Sequence, residues 1–81
     1  MRLDKYLKVS RIIKRRTVSN EACSLGRVTI NGKIAKPSAE VKVGDILEVT
    51  LGGRQLNVRV TSVRDHATKA DASDMFEVIQ Q

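Results

Sequence analysis

Gly26-Arg27-Val28-Thr29-Ile30-Asn31-Gly32-Lys33-Ile34-Ala35 is the stretch on which the fold turns. Residues 27–30 alternate polar and apolar like a short strand. Asn31-Gly32 is the strongest short hairpin signal, because both central positions of the favoured turn need positive φ. Residues 33–35 read as the returning strand. Gly26 supplies a helix stop just upstream. The stretch therefore divides the chain, with helical spacing before it and strand spacing after it.

Upstream, Leu3, Tyr6 and Leu7 recur at helical spacing, and Asp4 falls in a first turn, where a negative charge suits the helix dipole. This predicts a helix over residues 2–10, reaching 13 at most. Lys14, Arg15 and Arg16 break the apolar pattern. Thr17 is the expected N-cap of a second helix over residues 18–25, with Val18, Ala22 and Leu25 as its apolar stripe.

Downstream, Pro37-Ser38 ends the returning strand and Val43-Gly44-Asp45 makes a turn. Residues 46–51 form a strand with Leu47, Val49 and Leu51 on one side. Gly52-Gly53 makes a second hairpin, and Leu56, Val58 and Val60 alternate on the return, which Val63 could continue. Residues 65–74 read as a polar loop and 75–79 as a final edge strand. Two helices followed by short strands give an α+β fold, with two N-terminal helices packed on a small, mostly antiparallel twisted sheet.

The chain is 81 residues long, which suits one domain over residues 1–81 and leaves no room for an elaborate enzyme pocket. Apolar residues make up 41%, enough for a core, but Tyr6 and Phe76 are the only aromatics, so that core is aliphatic. One cysteine, Cys23, allows no disulfide framework, and one histidine, His66, with it cannot complete a zinc site. Cys23 is expected to be a buried structural thiol in the second helix. No cofactor, no secretory signal and no membrane span are expected, and the reading is a reduced, bacterial cytoplasmic compartment. Nothing pairs a nucleophile with a positioned base, and no glycine-rich phosphate loop occurs, which argues against an enzyme.

The net charge is +6, and it is unevenly placed. Up to Lys36, ten cations face two acids; beyond it, five cations face seven acids. A positive field concentrated on one part of a small domain attracts polyanions. Three cations at residues 14–16, just before the expected helix start, oppose the dipole, and a phosphate gathered by free helix N–H groups and guanidinium groups explains their placement. With so few aromatics, base stacking is excluded as the main mode. Cationic side chains on helices suit a folded RNA or DNA read through its backbone shape.

Arg2-Leu3-Asp4-x-x-Leu7, the basic run before Thr17, Gly26-Arg27-Val28-x-Ile30-Asn31-Gly32, Lys36-Pro37-Ser38, Val41-x-Val43-Gly44-Asp45 and Ile46 together resemble the S-four (alpha-L) RNA-binding domain. The resemblance covers residues 2–50 as the RNA-binding core and leaves 51–81 as additional strands and polar loop. Residues 1–11 with 14–17 are most similar to the short ribosome quality-control members of that family, relatives of its heat-shock ribosome-binding members. The resemblance implies binding to stalled large ribosomal subunits, with contacts to large-subunit rRNA and peptidyl-site tRNA. It also implies action with the partner RqcH in template-free C-terminal alanine tailing of the nascent chain.

Carried over by position, Arg2 and Arg16 match basic positions of the family's RNA-binding surface and Asp4 its acidic position. Asp4 is either a helix-dipole residue or the orienter of a neighbouring arginine. Lys8, Arg11, Lys14, Arg15 and Lys36 belong to the same basic region. A monomer without membrane contact is expected. The alternative is an S-four module in ribosome assembly, binding rRNA without preference for peptidyl-tRNA. A membrane-surface or targeting helix over residues 1–17 is the rival of a different class.

Overall fold

A computed structural model describes residues 1–79. The last two residues of the expected 51–81 segment, Gln80 and Gln81, lie outside the described residues. The elements run α1 (Leu3–Val9), α2 (Arg16–Ser24), β1 (Val28–Ile30), β2 (Lys33–Ile34), β3 (Ile46–Leu51), β4 (Arg54–Val60), α3 (Lys69–Ser73) and β5 (Phe76–Val78). The strands form one sheet in the order β2-β1-β3-β4-β5, antiparallel at every pairing.

Strand alternation sets the register. Leu47 pairs with Val58 and Val49 with Leu56, so the apolar side chains of β3 and β4 share one face. On that face Leu47, Val49, Val58 and Val60 pack in one core with Leu3, Tyr6 and Leu7 of α1, Ala22 and Cys23 of α2, and Met75. The helices lie on this side, as the order of periodicities predicts. Asn31 and Gly32 both take positive φ (51° and 85°) and close the β1–β2 hairpin, with Ile30 paired to Lys33.

Both helix ends are shaped by backbone chemistry. After α2, Gly26 at φ 74° donates its N–H to the Cys23 carbonyl, and Arg27 N–H reaches the Ala22 carbonyl, a Schellman closure. After α1 the same left-handed position is taken by an arginine, Arg11, at φ 63°. The chain then doubles back, Ile13 N–H bonds the Leu7 carbonyl, and Ile13 re-enters the core. This is why α1 stops at Val9 and does not run on to residue 13.

The second helix differs from expectation at its start and in its buried face. Arg15, not Thr17, is the N-cap, and no side-chain cap bond forms. The buried residues are Ser19, Ala22 and Cys23, whereas Val18 and Leu25 are exposed. Ser19 fits beneath the helix because its hydroxyl bonds back to the Arg15 carbonyl at 3.2 Å and so enters the core satisfied. Val18 and Leu25 are thereby rotated towards solvent.

Two further differences lie near the C-terminus. β4 ends at Val60 and Val63 does not continue it. Residues 65–74 are not all loop, since Lys69–Ser73 form the short helix α3, started by Thr68 Oγ1, which accepts the Asp71 N–H. The edge strand β5 is present at Phe76–Val78. Met75, just before it, is fully buried, and its carbonyl accepts the Tyr6 hydroxyl at 2.7 Å. That bond ties α1 to the C-terminal segment across the whole sequence.

Candidate nucleic-acid interface

The site begins at the first turn of α1. Its leading N–H groups are occupied, because Leu3 N–H donates to the Ala39 carbonyl and Asp4 N–H to the Pro37 carbonyl. The strap at residues 36–41 is thus laid beside the helix start. Asp4 points inwards, its side chain only 3% exposed. Its carboxylate accepts both Nε and Nη2 of Arg2 at 3.2 Å, the Lys5 N–H at 2.8 Å and Asn20 Nδ2 at 3.4 Å. Arg16 Nη2 stands 3.7 Å from the same carboxylate.

Burial works against a charged Asp4. The hydrogen bonds from Arg2, Asn20 and the Lys5 N–H outweigh it, so its carboxyl lies below the ordinary value and stays ionised. Of the two readings of Asp4, the geometry holds both. It occupies the first turn of α1, and it orients two arginines. Both arginine side chains remain 52% exposed. Two guanidinium groups on one buried carboxylate leave a surplus positive charge facing solvent, presented in fixed positions.

On one flank of this node, a shallow groove brings Arg2 together with Asn20, Ser24, Lys36 and Ser38. Arg16 lines a second, larger cleft of about 760 Å³. Lys5, Lys8, Arg11, Lys14 and Arg16 form one wall of it, and Asp65, His66 and Lys69 form the other. The sequence-expected residues therefore divide. Arg2 and Lys36 stand in the groove, Lys8, Arg11, Lys14 and Arg16 in the cleft, and Asp4 beneath both. Arg15 is exposed and lines neither.

The expected three-cation approach to the second helix is corrected, since only Lys14 precedes its cap. Arg16 is the first helical residue, which lets it reach back to Asp4. Sequence reasoning missed Lys5, Asn20, His66 and Lys69. Asn20 had a readable signal, standing four residues after Arg16 on one helix face. His66 and Lys69 had none, since their approach to α1 is made by the tertiary fold.

Cys23 is buried beside this region. Burial, then the Asp4 carboxylate, push its thiol up to about 11, which keeps it protonated and unreactive at neutral pH. The Asn31 turn serves architecture. Its side chain accepts the Ile46 N–H at 3.0 Å and donates to Asp45 at 3.2 Å, while Asp45 also accepts the Lys42 N–H. This locks the β1–β2 hairpin to the turn before β3 and fixes the strap that carries Lys36.

Comparison with known proteins places the chain in a family and matches its fold. The S4 domain family matches residues 1–47. The RQC P-site tRNA stabilizing factor of Streptococcus pneumoniae is 51% identical over 81 residues, covering 100% of this chain and 92% of the relative. That of Bacillus subtilis is 46% identical, covering 100% and 94%. Among solved structures, the trimeric Heat Shock Protein 15 of Vibrio cholerae superposes with a TM-score of 0.90 at 26% identity, over 98% of this chain and 81% of that one.

Proposed function

Because this chain belongs to the S4 domain family, in the group of RQC P-site tRNA stabilizing factors, we propose that it is a non-enzymatic ribosome quality-control factor that holds tRNA in the peptidyl site of a stalled large subunit. The observation that carries this reading is the Arg2–Asp4–Arg16 node, two half-exposed guanidinium groups gathered on one buried carboxylate, Arg2 by two hydrogen bonds and Arg16 by an ion pair at 3.7 Å. A guanidinium binds a phosphate through two parallel N–H donors, and one already held in place loses little entropy on binding.

The groove is lined by Arg2 and the cleft by Arg16, one arginine of the node each. One of the two engages large-subunit rRNA and the other the peptidyl-site tRNA. Two linked footprints raise the effective affinity for a particle that holds both, so an occupied large subunit is favoured over an empty one. Arg2, Lys8, Arg11, Lys14, Arg16 and Lys36 contact phosphates, Asp4 positions Arg2 and Arg16, and Arg15 adds long-range attraction. Residues 2–50 form the RNA-binding core and those after it the support. The protein acts as a cytoplasmic, ribosome-associated monomer. With the tRNA held in place, RqcH extends the nascent chain with a template-free alanine tail.

The test is sedimentation of the protein with purified large subunits, with and without peptidyl-site tRNA, across a salt series. The wild type is expected to favour the occupied subunit, with log affinity falling steeply against log salt. Arg16→Ala is expected to lower affinity about tenfold or more. Equal binding to occupied and empty subunits would replace this reading with one in ribosome assembly.

A further inference from the structure

The second wall of the large cleft comes from a part of the chain outside the family match, which ends at residue 47. Residues 65–69 stand across from α1 and the turn after it, some sixty residues away in sequence. The cleft gathers six cations, Lys5, Lys8, Arg11, Lys14, Arg16 and Lys69, against one carboxylate, Asp65. Among the described residues its apolar side chains are Val9 and Ala67, with no Phe, Tyr or Trp. Protein partners are anchored by buried aromatic and aliphatic side chains, which this cleft does not offer. A chain of phosphates is the chemistry that matches a slot with five cations from α1, the turn after it and the start of α2, and a sixth, Lys69, on the 65–69 segment.

The far wall is held in place. Ala67 and Val63 pack on the core, and Met75, which follows α3, accepts hydrogen bonds from the Tyr6 hydroxyl, Thr61 N–H and Ser62 N–H. Arg64 binds Ser62 Oγ at 3.2 Å and Asp71 at 3.5 Å. Asp65 meets Lys5 Nζ at 3.3 Å, with 77% of its own side chain exposed. An exposed pair of this kind is weak and exchanges its anion readily.

We infer that residues 65–69 complete a two-walled slot for the phosphodiester backbone of structured RNA. In it Lys69 and His66 contact the strand opposite Lys8, Arg11 and Lys14, and an RNA phosphate displaces Asp65 from Lys5. This inference rests on the RNA-binding function proposed above. It adds the C-terminal segment to the interface and gives Asp65 the role of a resident counter-ion.

The experiment measures affinity for purified large subunits carrying peptidyl-site tRNA, over a salt series, for the full chain and four variants. Lys69→Ala is expected to weaken binding about three- to tenfold and to lower the salt slope by about one contact. Asp65→Asn is expected to tighten binding about two- to fivefold, by freeing Lys5. Arg59→Ala, which removes a similar charge from the far side of the sheet, serves as the control for net charge. Lys69→Ala equal to Arg59→Ala, or Asp65→Asn without effect, overturns the slot. If Arg16→Ala still weakens binding in that case, the RNA-binding reading survives while the slot fails. A wild type that does not bind removes both. Lys69 and Asp65 are exposed, so their variants keep the fold, and an unchanged melting temperature verifies it.

Discussion

Arg59 on β4 meets Glu77 on the neighbouring strand β5 at 2.7 Å, one cation to one acid, both half exposed. At the start of α1 and α2, Arg2 and Arg16 share the single carboxylate of Asp4, which is buried. The two regions use the same residue types with opposite results. Between β4 and β5 the Arg59–Glu77 pair neutralises itself and leaves little field. Along α1 and α2 one inward acid serves two outward cations, and the surplus is turned to solvent in fixed orientation. The distribution of partners, more than the number of cations, distinguishes the proposed binding surface.

Removing both cations of the node is the largest perturbation this contrast allows. Arg2→Ala with Arg16→Ala is expected to lower affinity for tRNA-occupied large subunits by about a hundredfold or more and to reduce the salt slope by about two, read by sedimentation. The melting temperature is expected to fall as well, because the buried Asp4 carboxylate loses both guanidinium partners, so affinity is read at a temperature where circular dichroism shows the variant folded.

The link between the two regions is tested next. Tyr6→Phe removes the buried hydroxyl that binds the Met75 carbonyl. It is expected to cost about 0.5–1.5 kcal/mol in denaturant unfolding. Because that bond ties α1 to the segment bearing Lys69, affinity should fall modestly as well, with the salt slope unchanged.

Acid sharpens the contrast through Asp4. Its folded pKa is depressed, so its contribution to stability is complete above the unfolded value of about 3.9 and is lost as pH falls through the folded pKa. The unfolding midpoint of the wild type should drop below about pH 4 more steeply than that of Asp4→Asn. The smallest effect is expected at the paired end. Glu77→Ala should change stability by about 0–1 kcal/mol and leave binding unaltered in the same two assays.

The architecture was legible where one signal dominated. Gly26, Asn31-Gly32 and the alternation through Leu47, Val49, Val58 and Val60 each specify backbone locally, and the helices-then-strands order follows. The second helix misled because its apolar residues are not the buried ones. Ser19 satisfies its hydroxyl on its own backbone and takes the inward position that pattern reading gives to Val18 or Leu25. Helix α3 did carry a signal, Thr68 three residues before Asp71, but five residues add too little periodicity to stand out from a polar stretch.

The site divides in the same way. Arg2, Asp4 and Arg16 could be named from the N-terminal pattern, and Asp4 could be suspected as an orienter. That one carboxylate serves both arginines depends on α2 starting at Arg16 and packing against α1. His66 and Lys69 reach the cleft only through the Tyr6–Met75 tether and the packing of Ala67, contacts between residues far apart in sequence.

Asp4 stands between two explanations of RNA binding, orientation of its two arginines and simple charge, and one substitution separates them. Asp4→Asn removes a negative charge from a cationic surface, so electrostatics alone would tighten RNA binding. The measurement is the affinity of Asp4→Asn for tRNA-occupied large subunits at fixed salt, beside the wild type. A loss of about tenfold is expected, because Arg2 and Arg16 lose the carboxylate that holds them. Equal or tighter binding by Asp4→Asn would show that Asp4 does not act by orienting Arg2 and Arg16.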